Sequence, residues 1–554
     1  MRGIEELPQR SGCTDFVVRG KLFLAMEGNR MYNGIIKMQK GGELLPRSST
    51  DTCCLTLPLK LEKWQEDRLA KRFEIARQLY NTLLRYEMKK LRRLEQTPEY
   101  REVEAAIKAF PLREDKEYTT EQKALFKQRE KLRKDAGFTE YAFTSDMKMF
   151  YKHFKDNIAS NVAVHGIAPQ VWTAFDRLFY GNGRQLHFKS VGELNSVRGF
   201  SRKESGGTEI MFRGTYVEWN GLKLPVKLDE KNAYETEMLS YHIKYCRIIR
   251  RPGKTRSRWY VQLSLRGKPA VKRDKCTGAV RHPVGSGAVG IDIGPQTIAY
   301  CSQSTASLQV LADGVQNIEN QKRLLQRKLD RSRRAMNPDN YAADGTIRRG
   351  VKLTRYKSVR YRRLQKEVAY LQYQQAEMRK RQHNALANEL LSLGDRFYVE
   401  DMAWPQLTHR SNKTEISEKT GRYKRKKRFG KSVANRAPAA LIAMLNQKLV
   451  SRGYGAIEKV DTRVRASQYN HLSDTYEKKT LSQRWNDMPD GRCIQRDLYS
   501  AFLLQHMNSE CTDFDKETLC RDYEKFVILH DQAMERVMSL PNPLTSMGVR
   551  LSVS

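Results

Sequence analysis

One aspartate constrains this chain more than any other residue. Asp292 stands in Val289-Gly-Ile-Asp-Ile-Gly-Pro295, with an isoleucine on either side. The surrounding pattern is that of a buried strand. A carboxylate in such a strand is costly to bury unless it is paired or bound to a metal. Gly290 and Gly294 leave backbone room beside it. Thr297-Ile-Ala-Tyr300 and Leu308-Gln-Val-Leu311 read as two further strands. The segment therefore predicts an antiparallel meander with an acid in its first strand.

Two more acids stand out by context. Glu400 lies in Arg396-Phe-Tyr-Val-Glu-Asp-Met402. The two-residue period of a strand puts Glu400 on the face of Tyr398, opposite Phe397 and Val399. Asp401 then points away or begins a loop; Glu400 is preferred, and Asp401 stays open as the alternative. Asp497 lies in Ile494-Gln-Arg-Asp-Leu-Tyr-Ser-Ala-Phe502. A helix there places Ile494, Leu498, Ala501 and Phe502 on one apolar face, with Asp497 at its border beside Ala501. Each acid alone has an ordinary structural explanation. Together they predict an RNase H-like layout: an acid in the first strand, a meander, a helix, an acid ending a later strand, and an acid on a late helix. Two hard divalent cations about 4 Å apart take carboxylate oxygens. One activates water for attack on a phosphodiester and the other stabilises the leaving oxygen.

Charge points to the same class of partner. The 554 residues carry a formal net charge of +38, which predicts a polyanion, most simply nucleic acid. A fully disordered basic tail is excluded by 9% aromatic residues, which need a core or bases to stack on. The nine cysteines include no C-x-x-C pair, which fits a reducing cytosol better than an oxidising compartment. The longest apolar window, Pro438-Ala-Ala-Leu-Ile-Ala-Met-Leu445, is far below a membrane span, and the first residues lack a signal-peptide pattern. The expectation is a soluble, cytoplasmic, prokaryotic protein without a membrane partner.

Periodicity divides the chain into parts. Residues 1–52 form an extension with no assigned role. Strand 53–59 precedes charged amphipathic helices over 60–185, where Leu69, Phe73, Ala76, Tyr80, Leu83 and Leu84 recur at helical steps. Residues 186–270 are β-rich, with Asn220-Gly221 as a hairpin turn and a second strand pair over Tyr241–Ile249 and Arg258–Leu265. A linker, 271–287, leads to a last domain over 288–510, followed by a tail, 511–554. Inside that domain a basic helical insertion spans 316–392. From Lys322 to Arg381 it holds 19 Arg and Lys against five acids, with Leu364, Val368, Leu371 and Met378 along one seam. So one-sided an excess favours phosphate contact over a plain solvated face. Lys322, Arg323, Arg327, Arg331, Arg334, Arg362 and Arg363 are the candidate contacts there. Arg425, Lys426 and Lys427 add to them from a basic loop, 420–430, that reads equally as a lid or a solvated run.

The sequence resembles the TnpB-type transposon nucleases and the compact type V CRISPR effectors related to them. Gly290-Ile-Asp-Ile-Gly294 resembles the first RuvC motif, Phe397-Tyr-Val-Glu-Asp401 the second, and Gln495-Arg-Asp-Leu-Tyr-Ser-Ala501 the third. Val460-Asp-Thr-Arg-Val-Arg-Ala-Ser-Gln468 resembles the segment leading into the family's zinc ribbon. Lys63-Trp-Gln-Glu66 and Tyr80-Asn-Thr-Leu-Leu84 resemble the opening helix of its recognition lobe. The likeness implies an α+β, multidomain, bilobed protein. It has a helical recognition lobe (60–185), a β-barrel-like wedge module (53–59 with 186–270) and an RNase H-like RuvC α/β nuclease domain (288–510). By the same likeness Asp292, Glu400 and Asp497 are catalytic metal ligands. The implied cofactors are two Mg2+ per site, replaceable by Mn2+, and a guide RNA, either a crRNA or a transposon-derived RNA. The implied target is double-stranded DNA with a short flanking motif.

One departure is clear. The interval between the second and third motifs contains only Cys493, so its zinc-ribbon-like segment, 461–493, is degenerate and no zinc is expected. That loss, with the added length, leans toward a CRISPR effector or a transposon-to-CRISPR intermediate rather than a TnpB nuclease. Two other readings stay open: an RNA-guided DNA binder with a dead nuclease centre, and an actin-like-fold ATPase that uses Asp292 to orient Mg-ATP.

Overall fold

The computed structural model describes residues 51–549, apart from 111–117, 182, 201–208, 316, 410–413, 418–420, 422, 424–428 and 481. The chain divides into two compact units, one within Leu45–Lys272 and the other within Arg273–Ser554. The extension at 1–50 and the candidates Arg425, Lys426 and Lys427 lie outside the described residues.

The first unit combines helices and strands in the expected order. It runs β1 (Thr52–Pro58), α1 (Lys63–Leu94), α2 (Pro98–Ala109), α3 (Thr120–Asp135), α4 (Glu140–Tyr151) and α5 (Ala168–Tyr180). Then come β2 (Ser196–Phe200), β3 (Ile210–Phe212), β4 (Tyr216–Trp219), β5 (Leu222–Pro225), α6 (Ala233–Leu239), β6 (Ile243–Arg251) and β7 (Arg258–Arg266). The α1 seam predicted from periodicity, Leu69 to Leu84, is buried. Asn220 and Gly221 both take positive φ, 46° and 74°, as the tight β4–β5 turn requires.

The strands do not close into the expected barrel-like module. They form two open antiparallel sheets, ordered β1-β7-β6-β2 and β3-β4-β5. The end of β1 splices them on one side, where the Lys60 amide donates to Pro225 O at 2.9 Å and the Lys227 amide to Pro58 O at 2.8 Å. On the other side no ladder joins β2 to β3 among the described residues. A Cβ on Gly199 would lie 2.8 Å from both the Cβ and the backbone nitrogen of Ile210, so β2 approaches β3 closely at this glycine.

The second unit is built on one five-stranded sheet. Its elements are β8 (Ala288–Ile293), β9 (Thr297–Cys301), β10 (Ala306–Val310), α7 (Glu319–Met336), α8 (Val359–Leu393) and β11 (Arg396–Glu400). They continue with α9 (Trp404–Thr408), α10 (Gly430–Arg436), α11 (Pro438–Ser451), β12 (Glu458–Val460), β13 (Tyr469–Asn470), β14 (Thr475–Tyr476), β15 (Trp485–Asp487), β16 (Cys493–Gln495), α12 (Arg496–Gln505) and α13 (Lys516–Met538). Strand order is β10-β9-β8-β11-β12. The first three form the antiparallel meander, and β11 runs parallel to both β8 and β12.

Alternation along the strands sorts the core into two layers. Val289, Ile291, Ile293, Phe397 and Val399 pack with Leu390 of α8 and Leu441 of α11. Ala299, Leu308 and Tyr398 pack on the opposite side with Leu498, Ala501 and Phe502 of α12 and with α13. The segment read as a tail therefore contains a core helix. Leu519, Tyr523, Phe526, His530, Ala533 and Val537 follow helical steps and are buried. In the basic insertion Leu364, Val368 and Leu371 close against Leu325 and Leu329. Met378 leaves the predicted seam and is 42% exposed. No helix among the described residues is long and apolar enough to cross a membrane.

Candidate active site

Gly290 lets the site form. It shares a strand face with Asp292, and α12 crosses it at backbone distance. A Cβ at position 290 would lie 2.0 Å from Ala501 O and 2.3 Å from the Gln505 amide nitrogen. Asp497 sits one turn before Ala501 on the same helix, so this crossing carries it toward Asp292. Glu400 arrives along the sheet. The parallel register sets Val399 beside Ile291, and continuing it by one residue brings Glu400 level with Asp292 on the face of Tyr398.

The electrostatics report the same convergence. Burial holds the Asp292 carboxyl well above the usual carboxylate range, and the charges of Asp497 and Glu400 push it further. A hydrogen bond with the Ser500 side chain and the charge of Arg496 act against that rise. Burial also raises the Glu400 carboxyl. Asp401, the alternative just after β11, is exposed and pairs with Lys459 Nζ at 2.8 Å.

Asp497 is anchored from its own side. It lies in the first turn of α12, where helix amides favour a carboxylate. Its Oδ1 accepts from Arg496 Nε and Nη2, both at 3.3 Å, and lies 3.9 Å from Arg484 Nη1. Among the described residues no group of three His, Cys, Asp or Glu side chains closes on a single metal position. The donor types suit a hard cation: Asp292 and Glu400, two carboxylates raised by desolvation, share one sheet face, and Asp497 lies on the helix that crosses it.

Sequence reasoning missed Ser500, Arg484 and Arg496. Ser500 is three residues beyond Asp497, so the helical period carried its signal. Arg484 reaches the site across the β15–β16 hairpin, which pairs Trp485 with Gln495, and no local pattern announces that. The helix also starts later than expected. Ile494 belongs to β16, and the Gln495 side chain caps α12 by accepting from the Leu498 amide at 2.8 Å.

The basic candidates divide by environment. Arg323, Arg327, Arg331, Arg362 and Arg363 are exposed on α7 and α8. Lys322 is half-buried and lies 3.7 Å from Glu319. Arg334 is engaged within the unit: it bonds Asp330 at 2.9 Å and Gly345 O at 2.8 Å, and lies over the Tyr341 ring. In the segment 461–493 the short β13–β14 hairpin is held by side chains. Tyr469 stacks on Phe514 with ring centroids 4.9 Å apart, and Lys516 pairs with Asp474 at 2.7 Å.

No protein-family model matches the sequence, and no curated protein matches it. Among solved structures, a cryo-EM structure of a Cas12f1–sgRNA–target DNA complex aligns at 12% identity and a TM-score of 0.37. The alignment covers 83% of this chain and 99% of that one. A cryo-EM structure of a CRISPR-Cas12f ternary complex aligns at 12% identity and a TM-score of 0.23, covering 81% of this chain and 82% of that one. Likeness at this level carries no functional argument.

Proposed function

We propose that this chain is an RNA-guided DNA endonuclease of the compact type V effector kind, hydrolysing phosphodiesters at one RuvC-type centre. The observation that supports it is that Asp292 and Glu400 share one sheet face, which α12, the helix that carries Asp497, crosses. Asp292 of β8 is raised by the charges of Asp497 and Glu400. The sheet order, an antiparallel meander extended on its β8 side by two parallel strands, is consistent with an RNase H-like layout. The net charge of +38 supplies the field for a nucleic-acid substrate.

In this reading Asp292, Glu400 and Asp497 would hold Mg2+ or Mn2+. Two bound ions supply water activation and charge stabilisation at the scissile phosphate. The chain's own part is to fix the acids on rigid elements, β8, β11 and α12. Ser500 orients the Asp292 carboxylate. Arg484 and Arg496 border the acids with fixed positive charge, where a phosphate would lie. The exposed arginines of α7 and α8 grip nucleic-acid backbone.

The test is to purify the chain with its co-purifying RNA, sequence that RNA, and assay matched DNA with Mg2+. Wild type is expected to cut. Asp292→Ala and Asp497→Ala are expected to bind without cutting. Binding by all three proteins with cutting by none would replace the nuclease with a guided binder. ATP hydrolysis without nucleic acid would favour the ATPase alternative.

A further inference from the structure

The hairpin beside the carboxylates is held by a segment much further along the chain. Trp485 pairs with Gln495, the residue that caps α12 two positions before Asp497. The Arg496 amide donates to Arg484 O at 2.9 Å, and Arg484 Nη1 lies 3.9 Å from Asp497 Oδ1. Whatever holds Trp485 therefore holds Arg484 and the start of α12.

Two groups hold Trp485. Its indole N–H donates to Gly548 O at 3.0 Å. Its ring stands edge-on to His530, whose Nε2 accepts from the Gln495 amide at 2.9 Å. Gly548 follows a single turn, Thr545–Met547, whose Met547 is fully buried. Gly548 takes φ of 88°, and a Cβ there would lie 2.9 Å from the indole nitrogen. The position thus favours glycine both for its backbone and for its space.

We infer that residues 544–549 are a positioning element of the carboxylate site, with Trp485 as the positioning residue and Gly548 as its lock. Neither touches the reacting atoms. They act through Arg484 and through the cap that sets Asp497. This inference rests on the nuclease reading.

The experiment uses full-length Trp485→Phe, Gly548→Ala and, as a control for stability, Tyr469→Phe. Trp485→Phe keeps an aromatic ring and removes the donor. Tyr469→Phe removes a hydroxyl that bonds Asp474 at 2.9 Å in the other hairpin. Three quantities are read well below the unfolding midpoint: single-turnover cleavage, DNA affinity, and Mn2+ affinity by calorimetry. The first two variants are expected to cut about tenfold slower and to bind Mn2+ several-fold more weakly. Their DNA affinity should stay within about twofold, and Tyr469→Phe should match wild type. If wild type cuts and folded Trp485→Phe equals it in rate and Mn2+ affinity, the positioning role is overturned and the nuclease reading survives. If wild type does not cut, the nuclease reading fails. Equal Mn2+ affinities in wild type and Trp485→Phe would then overturn the inference as well.

Discussion

The carbonyl oxygen of Ala501 lies 2.0 Å from where a Cβ on Gly290 would stand. The obstacle is backbone, which cannot swing aside as the tip of a side chain can. Gly290→Ala must therefore lift α12 off β8 and separate Asp497 from Asp292. It is expected to destabilise this unit by about 3 kcal/mol or more and to abolish cleavage. Thermal unfolding with a parallel DNA-cutting assay checks it; a variant that folds and cuts normally would refute the close crossing.

Glu400 and Asp401 are neighbours with opposite surroundings. Glu400 is half-buried on the Asp292 face, whereas Asp401 is exposed and paired with Lys459. Glu400→Gln is expected to slow single-turnover cleavage by about a hundredfold or more. Asp401→Asn removes only a surface pair and should stay within about threefold of wild type. Equal losses in the two variants would mean that β11 presents its acids differently.

The parts of the site that follow strand or helix period were legible before any coordinates. Asp292, Gly290 and the Glu400–Tyr398 face follow from alternation, and the α1 seam from helical steps. What escaped was set by contacts between distant segments. Arg484 reaches Asp497 by way of the Trp485–Gln495 pairing, and Gly199 lies against Ile210, a residue of the other sheet. The helix at 516–538 was legible in the spacing of Leu519, Tyr523 and Phe526, yet the segment was read as a tail. Met378 fits the periodic seam but is exposed and lies outside the cluster of Leu325, Leu329, Leu364, Val368 and Leu371.

The α7–α8 arginines separate phosphate contact from internal bonding. Both Arg327 and Arg334 are exposed, but Arg334 is held by Asp330, Gly345 and the Tyr341 ring. Arg327→Ala is expected to weaken nucleic-acid binding at low salt and to reduce the slope of log affinity against log salt by about 1. Arg334→Ala should leave that slope unchanged while loosening the 341–357 loop. Salt titrations of both variants measure the difference, and an unchanged slope for Arg327→Ala removes it from the phosphate contacts.

Two buried groups, one in each unit, should give their helices opposite responses to pH. In the first, Glu87 of α1 is fully buried, with Lys90 Nζ at 2.8 Å. Burial pushes its carboxyl up to about 8, with Asp146 adding to the rise and Lys90 opposing it. A carboxyl raised in the folded state stabilises fully below its unfolded value, and that contribution is lost as pH climbs toward about 8. Lys90, also raised, keeps its charge throughout this window. In the second unit His383 of α8 is buried, and burial with the charge of Arg379 lowers it to about 4. A depressed histidine stabilises fully above about 6.5, its unfolded value, and that contribution is lost as pH falls toward about 4. Each group changes stability by at most about 1.4 kcal/mol per pH unit. Hydrogen exchange corrected for intrinsic rates should show α1 opening more readily from pH 5 to 8, and α8 opening more readily from pH 7 to 5. Glu87→Gln should flatten the first trend and His383→Gln the second, each leaving the other unit's profile in place. Parallel pH profiles for the two helices would show that these buried groups do not govern the local stability of α1 and α8.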